Sequence, residues 1–154
     1  RPGSITLGML RDVLGEVTVD KAVVTKLSAG ELPKAPGMKY THYSPSADVV
    51  IVRGNVDNTV SKITELAEKS KAEGYRTGII ATEETKDRYQ GFEVLVIGSR
   101  QHPETIAANL FKMLRKCDYH NIQKVYAEGF EETELGLAIM NRLKKAAGYS
   151  IIDV

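Results

Sequence analysis

Asp48-Val49-Val50-Ile51-Val52-Arg53 places four consecutive β-favouring apolar side chains between two charged ones. A run that short and that continuous is what a strand buried on both faces requires, because neither of its sides meets water. Downstream the signature returns at Thr77–Ala81, at Glu93–Ile97 and more briefly at Val125–Ala127, and Ile151-Ile152 is compatible with a fifth strand. The intervals between these runs read as helices. Asp57 or Asn58 is placed to cap one that carries Val60, Ile63, Leu66 and Ala67 on a single stripe and stops at Gly74. A short polar helix fits Glu83–Tyr89. Pro103 suits the first turn of a helix bearing Ile106, Leu110, Met113, Leu114 and Cys117. Ile139, Met140, Leu143 and Ala147 mark the last one, ended by Gly148. Short strands alternating with helices imply right-handed crossovers over an open sheet. The predicted fold is an α/β three-layer sandwich, Rossmann-like, with a mostly parallel sheet preceded by an extended linker.

Upstream of Asp48 the pattern is different. Thr6 caps a short helix with Leu7, Leu10 and Leu14 on one face and Gly15 at its end, and Glu16–Val24 alternates weakly enough to suggest a strand. From Thr25 to Pro45 periodicity is lost among Gly30, Pro33, Pro36, Gly37 and Pro45. A stretch of about twenty residues without an element is uncommon inside a compact domain, so it reads as a linker. The division that follows is 1–24, a preceding segment; 25–47, the linker; and 48–154, an independent unit. The chain opens Arg1-Pro2-Gly3-Ser4 without a methionine, which is expected either of a processed N-terminus or of a piece of a longer protein.

Composition narrows the function classes. The 154 residues hold 21 basic and 20 acidic side chains, so bulk positive charge for nucleic-acid binding is missing. One cysteine, Cys117, excludes an internal disulfide framework and suits a reducing cytoplasm. No apolar run approaches the roughly 20 residues of a membrane helix, and no signal-peptide core is present at the start.

The strand ends, where ligands sit in open α/β sheets, offer Arg53-Gly54-Asn55, Thr82-Glu83-Glu84, Gly98-Ser99-Arg100 with His102, and Glu128-Gly129. A dinucleotide fingerprint fails, because the first turn has only Gly54; a Gly-Lys-Ser/Thr phosphate loop is absent; a phospho-acceptor pattern finds Arg53 and Ser99 where aspartates belong. What remains is a candidate anion site between Arg53, Arg100 and the helix N-termini, against the simpler reading of solvated loop charge. His42, His102 and His120 lack metal-ligand spacing, and no metal site is expected. Cys117 lies on an apolar stripe, more in keeping with a core side chain than a thiolate. His120 suits a cap or turn, and Glu131, Glu132 and Glu134 favour the positive end of the last helix. No catalytic nucleophile–base set is visible.

The linker holds the most unusual chemistry. Met38-Lys39-Tyr40-Thr41-His42-Tyr43 supplies aromatic faces, hydroxyls and a cation, the parts that take a nucleotide; the same tyrosines could equally pin the linker to its own domain. Ala35-Pro-Gly-Met-Lys-Tyr-Thr-His-Tyr-Ser-Pro45 resembles the linker signature of the long, two-domain form of threonylcarbamoyl-AMP synthase. Arg1-Pro-Gly-Ser-Ile-Thr6 resembles the end of that family's catalytic domain, and Glu134–Ala147 its final helix.

The resemblance implies a parent enzyme with a catalytic domain of about two hundred residues ahead of this chain. That domain takes L-threonine, bicarbonate and ATP with magnesium and feeds threonylcarbamoyladenosine modification of tRNA in the cytoplasm. By the same resemblance Arg1 and Tyr40 contact ATP, with Lys39, His42 and Tyr43 as neighbours. Residues 1–24 become a remnant of the catalytic domain, 25–47 a lid and 48–154 an accessory domain. This portion alone is expected to be inactive and to hold no cofactor, with the catalytic domain as its partner and neither nucleic acid nor membrane as a direct one. The alternatives are a stand-alone module for a nucleotide or small ligand, and a structural or oligomerisation domain.

Overall fold

The computed structural model describes residues 3, 5–20 and 44–154. Thr6 caps α1 (Leu7–Leu14) by accepting the Met9 N–H at 3.2 Å, and Gly15 closes it at φ 78°. Residues 16–20 adopt no regular element, so the weak alternation there does not make a strand over its described part. The remaining order is β1 (Asp48–Arg53), α2 (Val56–Ala72), β2 (Thr77–Thr82), a single 3₁₀ turn at Lys86–Arg88, β3 (Glu93–Gly98), α3 (Pro103–Tyr119), β4 (Lys124–Glu128), α4 (Glu134–Ala146) and β5 (Ile151–Asp153). The α2 cap is Asn55, whose side chain accepts the Asn58 N–H at 2.9 Å, rather than Asp57 or Asn58. The polar helix expected around Glu83–Tyr89 shortens to that one 3₁₀ turn.

The five strands form one sheet in the order β3-β2-β4-β1-β5, with every pairing parallel. Handedness then dictates the layers. The crossover from β1 to β2 runs one way along the sheet, and those from β3 to β4 and β4 to β5 run the other. Right-handed crossovers of opposite direction land on opposite faces. Accordingly α2 packs on β1, β2 and β4, while α3 and α4 pack together against the other face.

Period-two alternation divides the core accordingly. Ile79 and Ala81 join Val60, Ile63, Ala67 and Tyr89 under α2, whereas Ile80 joins Ile51, Leu95, Leu110, Leu114 and Leu143 under α3 and α4. All six residues of β2 are buried, as its sandwiched position demands. Each fully buried Ile or Leu contributes about 1.5–3 kcal/mol of transfer free energy, so the two apolar layers fix the sheet between them. One polar pair sits inside the α2 layer, Ser70 Oγ with Tyr126 OH at 2.7 Å, each hydroxyl satisfying the other.

Candidate functional site

In an all-parallel sheet every carboxyl end lies along one edge, so Arg53, Thr82, Gly98 and Glu128 finish there together. Glu128, at the end of central β4, is only 1% exposed. An ionised carboxylate survives such burial only when its oxygens are bonded. Four donors do this. Thr85 Oγ1 reaches Oε1 at 2.5 Å and Tyr89 OH at 2.7 Å, while Thr82 Oγ1 reaches Oε2 at 3.1 Å and Arg100 Nη2 at 2.8 Å. Burial, then the neighbouring Glu128 charge, pushes the Tyr89 hydroxyl well above its usual range, so it stays a donor.

Arg100 reaches this carboxylate because of Gly98. Gly98 has φ 149°, and a β-carbon there would fall 2.5 Å from Thr105 Oγ1, so only glycine lets β3 turn down onto the first turn of α3. The loop beyond is fastened by Glu84, which accepts from Ser99 Oγ at 2.5 Å and from the Arg100 N–H at 3.0 Å. Burial alone would raise the Glu84 carboxyl, but the Ser99 and Arg100 bonds outweigh it and hold it at about 2. The Arg100 guanidinium also lies over the Phe130 ring, 5.0 Å from its centre, and its Nε is buried without an acceptor.

Arg53 makes a second, more open set. Its Nε donates to Asp153 at 2.7 Å and its Nη1 to Glu132 at 2.6 Å, and Lys144 Nζ shares that same Glu132 oxygen at 2.6 Å. The hydrogen bond with Asp153 leads in raising the arginine and in lowering the aspartate. Arg53 and Arg100, the two residues of the candidate anion site, therefore each face carboxylates of the chain itself. Glu132 serves this set, while Glu134 opens α4.

The other residues singled out in the sequence fall as follows. Cys117 is fully buried among α3 contacts, and burial pushes its thiol up to about 12. His120 ends α3 with Nδ1 against the Glu93 carboxylate, and exposed His102 stands 3.3 Å from Glu104. Among the described residues no group of three or more His, Cys, Asp or Glu is placed to hold a metal ion, and no helix is long and apolar enough to cross a membrane. Arg1, Lys39, Tyr40, His42 and Tyr43 lie outside the described residues. The chain that follows them is fixed: Ser44 Oγ donates to the Ala146 carbonyl at 2.7 Å and the Ser46 N–H to Asp118 at 2.7 Å.

Sequence reasoning placed Glu128 at a strand end but missed its role. The one available signal was a carboxylate following the apolar run Val125–Ala127. Its partners Thr82, Thr85 and Tyr89 could not be assigned without the strand order.

A parallel sheet with helices on both faces and mutually paired charges at its carboxyl edge defines an α/β domain of the doubly wound class. Residues 5–148 match the family model described as the C-terminal domain of threonylcarbamoyl-AMP synthase, and the chain belongs to that family. It is 46% identical over 154 residues to the threonylcarbamoyl-AMP synthase of Pyrococcus abyssi, covering 100% of this chain and 43% of that protein. To the Bacillus subtilis threonylcarbamoyl-AMP synthase it is 40% identical over 152 residues, covering 99% of this chain and 42% of that one. The chain thus spans less than half the length of these curated relatives. Among solved structures, P. abyssi Sua5 complexed with L-threonine superposes with a TM-score of 0.87 at 45% identity, over 100% of this chain and 43% of that one. The C-terminal Sua5 domain from Pyrococcus horikoshii gives 0.58 at 40% identity, over 72% of this chain and 100% of that one.

Proposed function

We propose that the chain is the accessory domain and lid-bearing linker of an enzyme that makes threonylcarbamoyl-AMP from L-threonine, bicarbonate and ATP with magnesium. In this reading the enzyme is a nucleotidyltransferase. A carbamate on the threonine amine attacks the α-phosphate of ATP, pyrophosphate leaves, and the adenylate goes on to tRNA modification in the cytoplasm. Residues 1–24 close the catalytic domain, 25–47 form the lid and 48–154 support it. Arg1 forks onto phosphate oxygens. Tyr40 closes over the nucleotide with Lys39, His42 and Tyr43 around it, and the closed lid keeps water from a labile mixed anhydride.

The observation that carries this reading is the family match over residues 5–148. Two others support it. A relative 45% identical was solved with L-threonine, in keeping with threonine as a substrate. The bonds of Ser44 to α4 and of Ser46 to α3 give the segment just after the aromatic cluster a rigid footing, which a lid needs in order to move as one piece. The engagement of Arg53 and Arg100 by Glu132, Asp153 and Glu128 favours structural work over phosphate binding for both, and this portion is non-catalytic by itself.

The test is Tyr40→Ala in the full-length protein. Pyrophosphate release should fall roughly tenfold or more, while the melting temperature of the C-terminal domain stays unchanged. An equal loss of stability and activity would mean that Tyr40 only packs. Pyrophosphate release by the 154-residue chain alone would refute the assignment of catalysis to the preceding domain.

A further inference from the structure

The charge of the whole chain is balanced, 21 basic against 20 acidic side chains, but it is not balanced helix by helix. On α2 the signs are mixed: Lys62 pairs with Glu65 at 2.8 Å, and Glu68, Lys69, Lys71 and Glu73 follow. On α3 they are not. Between Glu104 and Asp118 every charged residue is a cation, Lys112, Arg115 and Lys116, and all three are exposed. Spacings of three and four residues place them on one stripe, where like charges repel instead of supporting the helix. None of the three enters an ion pair among the described residues, whereas Lys62, Lys86, Arg88 and Lys124 each do. The helix dipole accounts for Lys116, which lies in the last turn, and gives no such reason for Lys112 or Arg115. Arg142 of α4 lies over the Phe111 ring, 5.5 Å from its centre, and brings a fourth cation beside the Lys112 turn.

The same stripe ends in an aromatic ring. Tyr119, four residues beyond Arg115, is 85% exposed. It stands edge-on to His120, with ring centres 5.5 Å apart and planes at 64°, and the Glu93 carboxylate in turn holds His120. The ring is therefore steadied from below while it faces water.

Three kinds of anionic partner would meet these cations. A membrane surface needs large apolar side chains beside them, and Ile106, Leu110, Met113, Leu114 and Cys117 of α3 are all spent on the core. An acidic peptide would leave the Tyr119 ring unused. A single-stranded nucleic acid uses both features, its phosphates on the cations and a base on the ring. Such a surface requires local segregation of charge, not the bulk excess that this chain lacks. We propose that the exposed stripe of α3 binds single-stranded RNA, with phosphates on Lys112, Arg115 and Lys116 and a base stacked on Tyr119. The choice of RNA rests on the tRNA-directed reading above; the surface itself involves neither the lid nor ATP.

The test is the fluorescence anisotropy of a fluorescein-labelled oligouridylate of about 12 nucleotides, titrated with the 154-residue chain. ATP and threonine are left out, so a failure here leaves the synthase reading standing. The dissociation constant should be about 100 μM or tighter at low salt. Replacing Lys112, Arg115 and Lys116 together by alanine should weaken binding at least about tenfold and lower the slope of log affinity against log salt by about 2. Tyr119→Ala should weaken binding about fivefold or more and leave that slope unchanged. All four positions are exposed, so the melting temperature should not move in either variant. Lys69→Ala, which removes an exposed cation of α2, should change the affinity by less than about twofold. The proposal is overturned if the RNA does not bind at that level, if an oligoglutamate of equal charge or anionic vesicles bind as tightly, or if the triple variant or Tyr119→Ala binds like the parent chain.

Discussion

Arg53 closes β1 and Arg100 lies two residues beyond the end of β3, so the two share the carboxyl edge of the sheet but not an environment. Arg53 is 36% exposed and shares Asp153 and Glu132 with water. Arg100 pairs with a carboxylate that is 1% exposed and carries three hydroxyl donors besides. The same residue type at the same edge of the sheet is thus a screened surface pair in one case and part of a buried network in the other. What separates them is the strand order. β1 lies next to the short edge strand β5, which leaves its end open, whereas Glu128 ends between β1 and β2 and is covered by the 3₁₀ turn and the β3–α3 loop.

The sharpest way to break the comparison is to remove each carboxylate or cation in turn. Glu128→Ala leaves Arg100 and three hydroxyls without their common acceptor, and should cost about 3–5 kcal/mol by denaturant unfolding. A loss under about 1 kcal/mol would show that the cluster exchanges its bonds with water after all. Arg53→Ala should cost no more than about 1 kcal/mol, and raising the salt concentration should shrink that difference while leaving the Glu128→Ala loss nearly intact. The smallest effect concerns acid. Because the Glu84 carboxyl is lowered to about 2 in the folded chain, its contribution is complete above the ordinary carboxylate range and disappears as pH falls through about 2. Glu84→Gln should flatten that part of the stability–pH curve without changing stability at neutral pH by more than about 1 kcal/mol, and an unchanged acid slope would show that Ser99 and Arg100 do not hold the carboxylate.

Those two environments also mark where the sequence stopped being informative. Strands β1 to β4 were legible because burial on two faces writes a continuous apolar run, and α3 because Ile106, Leu110, Met113, Leu114 and Cys117 repeat at helical spacing. The α2 cap was misplaced because Asn55, Asp57 and Asn58 offer similar side chains within one turn, and only the geometry selects Asn55. The Glu128 cluster was illegible for a different reason. Its members lie 28 to 46 residues away along the chain, and their meeting depends on β2 and β4 being neighbours, which alternation does not encode. Glu132 was assigned to a helix start on local grounds, but Arg53, 79 residues away, claims it.

The strand order has a consequence for how the domain assembles. Among the described residues, β1 pairs only with β4 and β5, so its nearest partner there begins 76 residues later, at Lys124 opposite Asp48. The ladder between β2 and β3 is, among the described residues, the sole one joining strands consecutive in the chain, and it closes a far shorter loop. During synthesis at about 5–20 residues per second, β1 therefore waits roughly 4–15 s before β4 exists. Through that interval a bare Val-Val-Ile-Val segment is available to any other unpaired strand. Asp48 and Arg53, which bracket it, bring like charges side by side in a parallel, in-register pairing with a second copy and so oppose that arrangement.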